Sequence, residues 1–220
     1  MPAEANHQPT SRVSELSQQA VKHAQYLDID DALMLGARIY FYNRESASPR
    51  LMAEYATETQ VARRLGVLEG TESGDRLSKK WTEMPADPAN AGWRIWRRKH
   101  KSKGTPGFGC KLYVSPRVFG GRDVWRDRCV QQFKVGRDIY GMLRPDKLVA
   151  YFATQQQLCE TSERLYARVG GMAAHGVPFT CELHGDGLLS WGMDPPKRAQ
   201  VLAWQERQSW RLWVVNTAIV

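Results

Sequence analysis

Apolar residues recur at two different periods along this chain, and the period changes near Trp93. Up to about residue 68 the pattern is helical. "VSELSQQAVKHAQYL" reads as one helix. "DIDDALMLGARIYFYNR" reads as a second, with Asp28 or Asp30 as its cap and Leu33, Met34, Ala37 and Tyr40 recurring at i, i+3/i+4 spacing. "SPR" at 48–50 breaks it, and "LMAEYATETQVARRLGVL" predicts a further helix that ends at Gly66 and Gly70. Residues 71–92 are polar and rich in Pro, Asp and Gly, so they read as loop with one short element around Trp81.

From Trp93 onward the alternation is that of strands. "GWRIWRRKHK", "CKLYVS", "QFKV", "KLVAYF", "PFTCEL" and "GLLSWG" are short β-like runs, and "SKGTPG" is a turn. One clear helix interrupts them: "TQQQLCETSERLYARVGGM" sets Leu158, Leu165 and Val169 on one face and stops at Gly170-Gly171. After "MDPPKR" a last helix is expected over roughly 196–214, with Asp194 as its cap. The expected fold is α+β: a helical N-terminal part, then a mainly antiparallel twisted sheet with covering helices. Residues 1–12 read as a disordered tail, 13–92 as the helical region and 93–220 as the α+β domain, all in one compact unit.

Side chains alternate across a strand. Lys111, Tyr113 and Ser115 therefore share one face while Leu112 and Val114 take the other. Gln132 and Lys134 oppose Phe133 and Val135, and Lys147, Val149 and Tyr151 oppose Leu148, Ala150 and Phe152. Three strands thus carry a lysine opposite an apolar face. If they are neighbours, the polar face is a cationic concavity fit for a phosphate. Crowded cations also lower one lysine's pKa and make it a base. If they lie at sheet margins, the lysines are edge protection. The alternation alone leaves both readings open.

Charge narrows the partner. Lys and Arg total 31 against 23 Asp and Glu, a formal +8, which favours a phosphorylated or polyanionic partner. "WRIWRRKHKSK" is a candidate nucleic-acid patch, with Trp93 and Trp96 to stack and Arg94, Arg97, Arg98, Lys99, Lys101 and Lys103 to neutralise phosphates. It also suits an acidic, apolar peptide. Cys110, Cys129, Cys159 and Cys181 are scattered, with no CxxC pair. The chain opens without a secretory pattern, and no apolar run approaches the length of a span, so a reduced, cytoplasmic protein without a membrane partner is expected. Trp204, Trp210 and Trp213 read as packing of the last helix. The chain lacks GxxxxGK[ST], a GxGxxG after a strand, GxSxG and an acid cluster with metal spacing, so kinase, nicotinamide and triad chemistry are unsupported and no metal is expected.

The strand sequence "GCKLYVSP" (109–116), "FKVGRD" (133–138), "RPDKLVAYF" (144–152) and "LLSWGMDP" (188–195) resembles the N-terminal lyase domain of class III and class IV lanthionine synthetases. It is also similar to the bacterial effector phosphothreonine lyases and to the lyase proteins encoded with class V lanthipeptides and thioamitides. The resemblance covers roughly residues 93–195. It implies β-elimination of phosphate from phosphoserine or phosphothreonine, with no cofactor. On this resemblance Lys134 matches the base and Lys111 the lysine of the first motif, with Arg144 or Lys147 as phosphate contacts and Arg137 a further candidate. Tyr113 stands where the family has its acid histidine, and Trp191 or Gly192 where it has a closing arginine. Those departures fit a lyase using other donors, Tyr113 among them, or a relative that binds phosphopeptides without catalysis. His175 and His184, on later turns, read as ordinary loop histidines.

The expected activity is therefore dehydroamino acid formation in a phosphorylated precursor peptide of lanthipeptide or thioamitide type. Trp93, Trp96, Arg97 and Arg98 would hold the peptide, and a separate kinase or cyclase would be a partner. Nucleic-acid binding remains the alternative.

Overall fold

The computed structural model describes residues 11–99, 109–117 and 126–194, together with Arg211, Val214 and Val215. Residues 1–10 of the expected tail, the turn "SKGTPG", Lys101, Lys103 and the three C-terminal tryptophans lie outside the described residues, as does most of the last helix, whereas Ser11 and Arg12, expected in that tail, cap and open the first helix.

The N-terminal helices are α1 (Arg12–Ala24), α2 (Ala32–Tyr40), α3 (Pro49–Glu54), α4 (Glu58–Leu65) and α5 (Glu72–Lys80). Helix α2 is capped by Asp31, whose carboxylate accepts from Met34 N, rather than by Asp28 or Asp30. Its inward residues are Gly36 and Ile39, while Leu33 and Met34 are more than half exposed. The expected helix over 51–68 is two helices. Thr57 forms a capping box with Gln60 and restarts the chain after Tyr55. The stretch read as loop contains α5, which Thr71 caps and which contributes one apolar core side chain, Leu77.

The strands are β1 (Trp81–Glu83), β2 (Trp93–Arg98), β3 (Cys110–Val114), β4 (Gln132–Gly136), β5 (Leu148–Phe152), β6 (Cys181–Leu183) and β7 (Leu189–Met193). They form one antiparallel sheet in the order β1-β2-β4-β5-β3-β7-β6. The short helix α6 (Ile139–Met142) follows β4, and α7 (Gln155–Val169) follows β5.

One face of the sheet carries the main core. Trp96, Phe133, Val135, Leu148, Ala150, Phe152, Leu112 and Val114 meet α4, α5 and the Leu158/Leu165/Val169 stripe of α7 there. The other face carries Trp93, Tyr113 and Val149, with Ile95 and Tyr151 against them. Helix α1 reaches β6 on that side, where Val13 N donates to Glu182, and α2 brings Tyr40 over the strand ends.

Candidate active site

Strands β4, β5 and β3 are the third, fourth and fifth of seven, so their lysines do not protect an edge. The register then fixes what meets what. Lys134 lies opposite Val149 of β5, Tyr113 lies opposite the same Val149 from the other side, and Lys111 lies opposite Tyr151. Ile95 of β2 pairs with Lys134, and Trp93 pairs with Gly136. All of these side chains emerge on the face away from the main core.

Gly136 also governs the next turn. A Cβ there would come within 2.3 Å of the Gly141 backbone, so α6 can pack against β4 only with glycine at that position. Asp138 caps α6 by accepting from Gly141 N. The chain then returns through Leu143 to "RPDK", which delivers Arg144 and Asp146 to the same face.

Arg144 grips Asp146 with two hydrogen bonds, Nε to Oδ1 at 2.8 Å and an Nη to Oδ2 at 2.9 Å. A further bond runs from the same guanidinium to the Tyr40 hydroxyl at 3.2 Å. Tyr40 donates in turn to Asp146 Oδ2 at 3.2 Å. Arg211, fully buried, comes to 3.1 Å from Asp146 and donates to the carbonyls of Pro178 and Tyr40. Burial pushes the Asp146 carboxyl up, but the Arg211 and Arg144 guanidiniums outweigh it and hold the group well below the usual carboxylate range.

Lys134 is half-buried, and its ammonium lies 4.0 Å from the centre of the Trp93 ring. Among the described residues that ammonium has no hydrogen-bond acceptor. Burial lowers its pKa, Asp146 opposes the shift, and Lys111 and Arg144 add to it; the result is about 8. Lys111 is buried and pairs through its ammonium with the Asp194 carboxylate, 5.5 Å from the Tyr151 ring centre. Tyr113 is buried, and burial pushes its phenol well above the ordinary value. Among the described residues its hydroxyl has no hydrogen-bond partner.

The structure therefore brings together Lys134, Lys111, Arg144, Tyr113 and Trp93. Lys147 goes elsewhere. Its ammonium donates to the Pro116 carbonyl at 2.8 Å and lies 3.1 Å from His175 Nδ1, with both residues buried. Arg137 donates to the Trp93 carbonyl at 3.3 Å. His175 Nε2 donates to the Asn43 carbonyl, and His184 stacks on Tyr166 of α7, so neither joins the cradle.

The proposed peptide-binding set is divided by the sheet. Trp93 and Arg97 are on the cradle face, where Arg97 donates to Gln132 at 3.2 Å. Trp96 is on the core face, stacked on Phe133 at 5.0 Å and 12°. Arg98 covers Trp81 and donates to the Val130 and Asp127 carbonyls. The odd spacing of 93 and 96 puts the two tryptophans on opposite faces, so they do not make one stacking platform.

Sequence reasoning missed Tyr40, Asp146 and Arg211. Asp146 was in view, two residues beyond Arg144 in "RPDK", a spacing at which Arg and Asp can pair. Nothing local in the sequence connects Tyr40 or Arg211 to the site.

The assembly is an α+β scaffold with a cationic cradle set on the middle of an antiparallel sheet. Its fold is shared with solved effector proteins of Pseudomonas syringae. The effector from pathovar syringae strain 61 is 17% identical, with 96% of this chain and 89% of that one covered and a TM-score of 0.56. The effector from pathovar tomato strain DC3000 is 12% identical, with 94% and 86% covered and a TM-score of 0.55. The type III effector and phosphothreonine lyase OspF of Shigella flexneri matches at 10% identity over 92% and 100% of the two chains, with a TM-score of 0.43. No family model and no curated protein matches the chain.

Proposed function

We propose that the protein is a phosphoserine/phosphothreonine lyase that eliminates phosphate from a peptide. The observation that carries this is Lys134, a half-buried amine without an acceptor among the described residues, held near pKa 8 with two further cations on the same face, Lys111 two strands away on β3 and Arg144 on the connection from β4 to β5. The "CKLYV", "FKV" and "RPDK" motifs that resemble the lyases supply this same group of residues.

In this reading neutral Lys134 takes the Cα proton, the electron pair forms the Cα–Cβ double bond, and the Cβ–O bond breaks. Lys111 and Arg144 face the departing phosphate and offset its charge. Lys134, protonated by that step, hands the proton on to the departing phosphate, so the reaction is proton-neutral and needs no oxidant or cofactor. Tyr113, whose phenol keeps its proton, serves as a hydrogen-bond donor to the leaving oxygen rather than as the source of that proton.

The substrate we propose is a phosphorylated precursor peptide of lanthipeptide or thioamitide type, phosphorylated by a separate kinase; the motif resemblance supports this context. Nucleic-acid binding is less well supported, because Trp93 and Trp96 are both buried and face opposite ways.

The test is mass spectrometry of phosphothreonine and phosphoserine peptides. Loss of about 98 Da, one phosphoric acid, with the wild-type protein and not with Lys134→Ala supports elimination. Retention of phosphate with the kinase-treated peptide and any partner protein present overturns it.

A further inference from the structure

Lys111 is a buried cation on a central strand, and the carboxylate that answers it comes from Asp194, just beyond the end of β7. Asp194 is held in place by its own backbone, whose N–H donates to the Gly109 carbonyl at 3.1 Å, beside the start of β3. The pair is asymmetric: the Lys111 side chain is 9% exposed and the Asp194 side chain 36%. The carboxylate thus covers the ammonium from the open side of the cradle. Lys134 also feels its charge.

An oxyanion beside Lys111, on the solvent side and near Lys134, is where the cradle would take a phosphate. We infer that Asp194 is an internal stand-in for the substrate's phosphate, a carboxylate that neutralises Lys111 in the ligand-free protein and must leave it before a phosphate monoester can bind. This rests on the phosphate-binding part of the proposed function and adds a residue to it. A carboxylate carries one negative charge and a phosphate monoester two, so the exchange favours the dianion over a phosphoryl group carrying one charge. Asp194 therefore acts as a specificity-determining residue and takes no part in proton transfer.

Removing the carboxylate has two consequences of opposite sign. The ligand-free protein loses the partner of a buried cation and becomes less stable. The phosphate-bound protein loses nothing, so the free-energy gain on binding increases. Among the described residues, the charged groups and ring facing Lys134 are Lys111 from β3, Arg144 and Asp146 from the β4–β5 connection, Asp194 after β7, and the Trp93 ring from β2. Loss of Asp194 takes away one of the two carboxylates that raise the Lys134 pKa, so the base should titrate lower.

The experiment is calorimetric binding of inorganic phosphate and of a phosphothreonine peptide to wild type, Asp194→Asn and Asp194→Glu, with the pH–rate profile of each. Asp194→Asn should bind both ligands roughly ten-fold more tightly, show a larger phosphate-induced rise in Tm, and move the rising limb of the profile to lower pH. Asp194→Glu should stay close to wild type. Affinity that is unchanged or weaker in Asp194→Asn, with the variant folded by circular dichroism, overturns the inference while leaving elimination intact. Tighter binding without any elimination by wild type keeps the inference and removes the lyase reading. Absence of phosphate binding by wild type and by Asp194→Asn overturns the two together.

Discussion

The Lys134 ammonium rests against the Trp93 indole, 4.0 Å from the ring centre, and the Arg144 guanidinium approaches the same ring at 4.6 Å. An aromatic ring attracts a cation without offering it a proton acceptor. The amine is therefore held in place while remaining poorly solvated. A carboxylate at the same point would have fixed Lys134 in its charged form.

Elimination should rise about ten-fold per pH unit below pH 8 and level off above it, because the active species is the neutral amine and its pKa lies near 8. A pH–rate profile at saturating peptide reads this directly. A flat profile between pH 6 and 9 would assign the proton removal to another group.

Trp93→Ala should separate these effects. Opening the ring's space to water moves Lys134 back toward the ordinary lysine value near 10.4, and the rising limb of the profile moves up with it. The cavity should also cost about 3–5 kcal/mol of stability, measured by urea denaturation.

Two substitutions at Tyr113 should diverge. Tyr113→Phe removes a donor whose proton is held far above the ordinary range, so the rate should fall by about ten-fold at most. Tyr113→His places an imidazole at the position that the motif resemblance gives to an acid, and should raise the rate by roughly 10²-fold with a second, falling limb at higher pH. A faster Tyr113→Phe than Tyr113→His would dismiss any role for an acid there.

Asp146→Ala would leave the Arg144 and Arg211 guanidiniums without their shared carboxylate inside the protein. A stability loss of about 3–5 kcal/mol is expected, with weaker phosphate binding as Arg144 loses its two-point hold. Thermal unfolding with and without phosphate measures both.

His175 is neutral in its pocket, lowered to about 4 by burial and by the Lys147 ammonium. Its folded pKa is below the unfolded value of about 6.5, so the unfolded chain binds the proton first. Stability from this residue is therefore present above about pH 6.5 and is lost as pH falls toward 4. His175→Asn, which retains an acceptor for Lys147 and does not titrate, should flatten that part of the curve.

The lysines of β3 and β4 were legible because each sits in a strand of strict alternation; "CKLYV" and "QFKV" assign faces without reference to partners. What alternation cannot supply is the neighbour. The edge reading is excluded by β5 lying between β4 and β3, a long-range pairing. Helix α5 was hidden because "ESGDRLSKK" has one apolar residue for the core, and its helicity comes from the Thr71 cap and from packing. The apolar face of α2 was misread because Leu33 and Met34, though correctly spaced, point to solvent while Gly36 and Ile39 pack inward. Trp96 and Arg98 were grouped with Trp93 by composition, which carries no information about side.

The order of strands has a consequence for how the chain is made. Strand β3 precedes β4 in sequence but does not pair with it; its partners are β5 and β7, which emerge from the ribosome about 34 and 75 residues later. Until they appear, a strand of mostly apolar residues bearing Lys111 has both margins unsatisfied. Such late, distant pairings slow the search for the native state. A nascent chain halted after β5 would have Lys134 beside its neighbour strand and Lys111 on a raw margin, so the site is complete only once β7 has followed.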